Sequence, residues 1–177
     1  MIRIGILGDI GSGKSYVANN FGYPVFNADQ EVSKLYKKNK TTYSKLNKLL
    51  PEYINLFPID KNEIINAILS DKNNLKKIIK IVHYEIRNKM KLFLKKNKKK
   101  KIVILEIPLL LENKINNKKD ILVFVEAKKF DIKKKLKKRV NLNHKLYNNF
   151  REIQYSPVYK KRKSNFIIKN DFTKRTV

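Results

Sequence analysis

Five short apolar runs punctuate the chain, at Ile2 to Leu7, Pro24 to Phe26, Ile102 to Leu105, Ile121 to Val125 and Phe166 to Ile168. Each is apolar at consecutive positions, the pattern of a strand buried on both faces of a parallel sheet. Helical spacing fills the stretches between them, so the chain reads as α/β with a five-stranded parallel sheet. From about residue 32 to about residue 97 the alternation stops and no strand pattern occurs. There Leu75, Ile78, Ile79, Val82, Ile86, Met90 and Leu94 recur at steps of three and four, which predicts one long helix with an apolar face. Ser70 is placed to N-cap it, and Asp71 adds favourable charge at its start. Pro51 and Pro58 punctuate the segment before it. A helical insertion at 32–97 therefore interrupts a single domain whose core is 1–31 and 98–177.

At 177 residues the chain suffices for one domain with its own core. It has no Cys, which excludes disulfides and thiolate chemistry. No apolar run approaches the roughly 20 residues of a membrane span, and the N-terminus leads directly into a strand. The expectation is a soluble cytoplasmic protein with no membrane partner. A net charge of +27 ordinarily points to nucleic acid. Here Lys is spread over the whole chain beside abundant Asn and Ile, as in the product of an A/T-rich genome, and no aromatic-interleaved basic stripe occurs. The run at 95–101 reads as a solvated helix end leading into a strand. No specific nucleic-acid partner is expected.

The first apolar run opens directly into Gly8-Asp9-Ile10-Gly11-Ser12-Gly13-Lys14-Ser15, the pattern G-x-x-x-x-G-K-S/T. Glycines at 8, 11 and 13 remove the Cβ atoms that would keep successive backbone N–H groups from converging on one anion. A helical pattern from Lys14 adds further N–H groups. In such a loop Lys14 reaches the β- and γ-phosphates and the Ser15 hydroxyl ligates Mg²⁺. Asp29 follows the second run, where the crevice at the strands' carboxyl ends receives ligands. Its carboxylate suits an attacking hydroxyl's proton or a hydrated cation; alternatively it caps a helix starting at Gln30.

The combination resembles the dephospho-CoA kinase family over nearly the whole chain. The loop is similar to that family's G-G-I-G-S-G-K-S, Asn27-Ala28-Asp29 to its D-A-D, and the segment from Ile81 to Arg87 to its V-H-P-x-I-R. Glu106-Ile107-Pro108-Leu109-Leu110-Leu111-Glu112 resembles D-x-P-L-L-x-E, while Arg139, Gln154 and Asn170 fall at a lid Arg, a lid Gln and the end of the last strand. Asn27, Glu106, Tyr84 and Asp9 depart from the family pattern, and the sequence ends at Val177, before the place of the family's closing helix.

The resemblance implies a three-layer P-loop kinase with sheet order 2-3-1-4-5, a helical substrate-binding insertion and a lid around 135–160. It implies ATP-dependent phosphorylation of the ribose 3′-hydroxyl of dephospho-CoA, with Mg²⁺. Lys14, Asp29 and Arg139 would be catalytic; Gly8, Gly11, Ser12, Gly13, Lys14, Ser15, Tyr16 and Asn170 would bind the nucleotide. Asp29, His83, Arg87, Pro108 and Leu109 would meet dephospho-CoA. His83 and Arg87 share a helix face, where the alternative is an exposed pair with no ligand. Pro108 to Leu110 fit simple packing equally well, and Arg139 one more cation in a Lys-rich helix. The rival activities are another small-molecule P-loop kinase and a basic nucleic-acid-binding NTPase. A monomer or weak homo-oligomer is expected.

Overall fold

In a computed structural model that describes residues 1–137 and 143–173, the five apolar runs form β1 (Ile2–Gly8), β2 (Val25–Asn27), β3 (Ile102–Glu106), β4 (Ile121–Glu126) and β5 (Phe166–Lys169). All pairings are parallel and the order is β2-β3-β1-β4-β5, as the resemblance implies. β1 lies in the middle, with Ile6 opposite Glu106 of β3 and Gly8 opposite Val125 of β4.

Both faces of the sheet are covered, which is why the strand residues are apolar without alternation. On one face Ile4, Ile6, Ile104, Val123 and Val125 pack with Val17 and Ala18 of α1 (Lys14–Asn20). On the other, Leu7, Phe26, Leu105, Leu122 and Phe124 join a larger cluster from the helical segment. That segment is α2 (Ala28–Lys38), α3 (Lys40–Leu49), α4 (Lys61–Ser70) and α5 (Lys72–Lys96), with Pro51 and Pro58 in the irregular stretch before α4. Leu75, Ile78, Val82, Ile86 and Met90 are the buried apolar stripe of α5, with Ile79 half-buried beside them.

Two expectations need correction. The N-cap of α5 is Asp71, whose side chain accepts from Asn73 N at 2.8 Å; Ser70 ends α4 and donates to the Ala67 carbonyl. Asp71 wins because α4 runs one residue further than its apolar pattern, so the extended residue that a cap requires is the next one. Between β3 and β4 there is no helix; residues 107–120 are turns, with Leu110 fully buried against the face of Gly5. The remaining helices are α6 (Lys129–Lys137), α7 (His144–Glu152) and α8 (Pro157–Lys163). Of the range expected as a lid, residues 138–142 lie outside the described residues, α7 packs on α4, and α8 packs on β1 and β4.

The cap assignment yields a direct contrast. Asp71→Ala should cost about 1 kcal/mol and lower Tm by roughly 2–4 °C, whereas Ser70→Ala should stay within about 0.5 kcal/mol in a thermal melt.

Candidate active site

The phosphate loop leaves β1 at Gly8 and turns through Gly11 (φ 85°) and Gly13 (φ 90°), a left-handed conformation that favours glycine. Gly13 is required for a second reason. A Cβ there would lie 2.2 Å from Asn170 Nδ2. Asn170 is buried just beyond β5, and its amide donates to the Ser12 carbonyl at 2.9 Å while its oxygen accepts from Phe172 N. Asn170, expected at the nucleotide, thus engages the loop's backbone. Ser12 is fully buried, and its hydroxyl has no hydrogen-bond partner among the described residues.

The Lys14 ammonium folds back over the loop, 2.8 Å from the Asp9 carbonyl and 3.4 Å from that of Gly8. Burial, and after it the Lys160 charge, lower its pKa to about 8, against the pull of Glu106, Asp29 and Asp9. Ser15 donates its hydroxyl hydrogen to Glu106 Oε1. Tyr16, in the same first turn of α1, is exposed.

Glu106 ends β3 opposite Asn27 of β2, and Asn27 Nδ2 donates to its Oε2 at 2.5 Å. Burial raises the Glu106 pKa, opposed by the Ser15 hydrogen bond; the Asp29 charge raises it further, while Lys14 and Asn27 pull it down. Asn27, not Asp29, caps α2, accepting from Gln30 N at 2.9 Å. The helix therefore starts at Ala28, two residues before the expected Gln30, and leaves Asp29 exposed in its first turn. Asp29 and Glu106 both act electrostatically on Lys14, so the two acids and the loop lysine share one site at the carboxyl ends of β1, β2 and β3.

The other expected residues are distributed more widely. His83 and Arg87 share a face of α5 and both reach Asn113: Arg87 donates to its carbonyl at 2.9 Å. Burial, then the Arg87 charge, lower the His83 pKa, with the Asn113 hydrogen bond opposing. Pro108 is half-buried and Leu109 is buried. Arg139 lies outside the described residues.

Sequence reasoning missed the working contacts of Glu106 and Asn27, and it missed Lys160. Lys160 is 2% exposed, and its ammonium sits 3.0 Å from Glu112 Oε1 and 2.8 Å from Gln154 Oε1. With Gly8, Asp9, Arg151 and Gln154 it lines a cavity of about 230 Å³ beside the start of the loop.

No cluster of three His, Cys, Asp or Glu exists among the described residues to enclose a metal. The donors present suit Mg²⁺ nonetheless, because that ion keeps several waters and binds through one or two protein oxygens plus substrate phosphates. Ser15 commits its hydrogen to Glu106, which leaves its oxygen lone pairs for a cation. No helix among the described residues is long and apolar enough to cross a membrane.

The sequence profile of dephospho-CoA kinases matches residues 2–175. The chain belongs to the dephospho-CoA kinase family. A dephospho-CoA kinase of Wolbachia pipientis wMel is 34% identical over 179 residues, covering 98% of this chain and 91% of its own length. A solved Thermus thermophilus protein superposes with a TM-score of 0.75 at 26% identity, covering 97% of this chain and 90% of that one. The Campylobacter jejuni dephospho-CoA kinase gives 0.61 at 22% identity over 97% and 89%, a likeness of fold. The resemblance stated from the motifs is thereby confirmed, as are the fold class and the expected enzyme family.

The depressed Lys14 pKa sets a pH dependence. As pH rises through about 8 the empty site loses the ammonium's charge, so ATP affinity should fall by up to about tenfold per pH unit above that value. Calorimetric titration should also show net proton uptake on binding near pH 9 in wild type, and none in Lys14→Met.

Proposed function

We propose that the chain transfers the γ-phosphoryl group of ATP in line to the ribose 3′-hydroxyl of dephospho-CoA, the last step of coenzyme A formation. The observation that carries this reading is the convergence of Lys14, Asp29 and Glu106 at the carboxyl ends of three adjacent strands. It is supported by family membership across residues 2–175.

The backbone N–H groups from Gly11 to Ser15 cradle the inner phosphates, and Lys14 moves from the carbonyls of Gly8 and Asp9 onto the β- and γ-phosphates. Ser15 would hold Mg²⁺ through its hydroxyl oxygen with Glu106 beside it; the bound ion neutralises phosphate charge. Asp29 accepts the proton of the 3′-hydroxyl as its oxygen bonds to the γ-phosphorus and the bond from that phosphorus to the ADP oxygen breaks. Asp29 takes this role from the exposed first turn of α2, while Glu106 accepts from Ser15 and Asn27 on the side of the cation. Arg139, as the resemblance implies, would add its guanidinium charge to the same phosphoryl group. His83, Arg87, Pro108 and Leu109 form the acceptor side.

Steady-state assays with ATP and dephospho-CoA test the roles separately. Lys14→Ala should lower kcat/KM at least about 100-fold. Asp29→Asn should lower kcat by roughly 10²–10⁴-fold with ATP affinity nearly unchanged. Full activity in Asp29→Asn would remove the base assignment.

A further inference from the structure

Lys160 is a buried cation that the activity, as described so far, does not use. It lies on α8, where Lys160, Lys161, Arg162 and Lys163 are consecutive, and among these only Lys160 is turned into the molecule. A lysine is seldom fully buried, because desolvating its ammonium costs several kcal/mol that one carboxylate only partly offsets. Glu112 is not wholly committed to it. Glu112 Oε1 also accepts from Tyr155 N at 2.8 Å, and Glu112 Oε2 is buried with no partner among the described residues. An ammonium carries three donors, and among the described residues Glu112 and Gln154 account for two of them.

The position of this cation is informative. It borders the cavity of about 230 Å³ at Gly8 and Asp9, which Arg151 also lines. Lys14 reaches back to the carbonyls of those same two residues. The Asp9 carboxylate accepts from Ile10 N at 2.7 Å. Lys14 and Lys160 therefore both border Gly8 and Asp9, the first two residues of the loop. Two like charges at one part-buried site are unfavourable together, and an anion between them relieves both.

We propose that Lys160 is a catalytic residue whose ammonium binds the terminal phosphate of the nucleotide in the cavity beside Gly8 and Asp9. The location follows from the loop. Its N–H groups from Gly11 onward take the inner phosphates, so the outermost phosphate falls at the loop's beginning, between Lys14 and Lys160. Lys160 stabilises charge on the phosphoryl group while the bond to the ADP oxygen breaks and the bond to the acceptor oxygen forms, and the acceptor proton goes to Asp29. Glu112 and Gln154 position the ammonium. The inference rests on the kinase reading above, but only for the identity of the acceptor.

The test uses Lys160→Met and the double variant Lys160→Met/Glu112→Gln, which leaves no buried carboxylate unpaired. Two quantities are read: kcat with dephospho-CoA, and the ratio of ATP to ADP affinity, which needs no acceptor. Thermal melts are run first, and the double variant decides if the single one does not fold. The expected result is a loss in kcat of at least about 100-fold in a folded double variant, together with a fall of about tenfold in the preference for ATP over ADP. A double variant within about threefold of wild-type kcat, with the ATP preference intact, would reduce Lys160 to a structural ion pair and overturn the proposal. If wild type does not phosphorylate dephospho-CoA but the variant still loses its preference for ATP, the acceptor reading fails and the Lys160 assignment stands.

Discussion

The hydrogen bond from the Asn170 side chain to the Ser12 carbonyl spans 158 positions of sequence and fixes the loop around which the site is arranged. A phosphate loop holds N–H dipoles and an ammonium in one small volume before any anion arrives, and those groups repel each other. Only a rigid frame keeps such an arrangement open. Here the frame is the central strand β1, covered on both faces, and the end of β5, whose amide lies so close to Gly13 that no Cβ fits between them. The Ser12 hydroxyl, without a partner among the described residues, and the depressed Lys14 pKa are what that frame sustains.

The acidic half of the site is organised by the same strands. Asn27 and Glu106 are register partners on β2 and β3, and the amide of one bonds the carboxylate of the other. An aspartate at 27, as in the family pattern, would set a second carboxylate against the longer Glu106 side chain and raise its pKa further. The two departures therefore compensate each other, and Asn27 still caps α2 so that Asp29 falls on the first turn, within electrostatic reach of Lys14. What looked like the loss of an acid is an exchange of a charge for a hydrogen-bond donor.

The strands were legible because double-sided burial makes them uniformly apolar, and α5 because its stripe from Leu75 to Met90 holds period over four turns. The loop was legible because its glycines are chemically required. Other features depend on information that local pattern does not hold. The general rule of helices between strands does not hold at residues 107–120, where Leu110 packs into the space left by Gly5 and the chain stays in turns. Ser70 and Asp71 are both good caps, and only the length of α4 decides between them. Lys160 is one of four consecutive cations, distinguished only by the packing of α8 on β1 and β4. Gln154, which the sequence marks by little beyond its position, is one of the two partners that hold that lysine.

The central claim, that this geometry directs a phosphoryl group onto the 3′-hydroxyl of dephospho-CoA, is tested most directly by acceptor competition. Purified chain is given ATP with equal concentrations of dephospho-CoA and several nucleoside monophosphates, and products are identified by mass and by the phosphorus resonance of the new ester. The account predicts a 3′-phosphomonoester on dephospho-CoA as the dominant product. Dominant formation of nucleoside diphosphates, with dephospho-CoA unchanged, would contradict it.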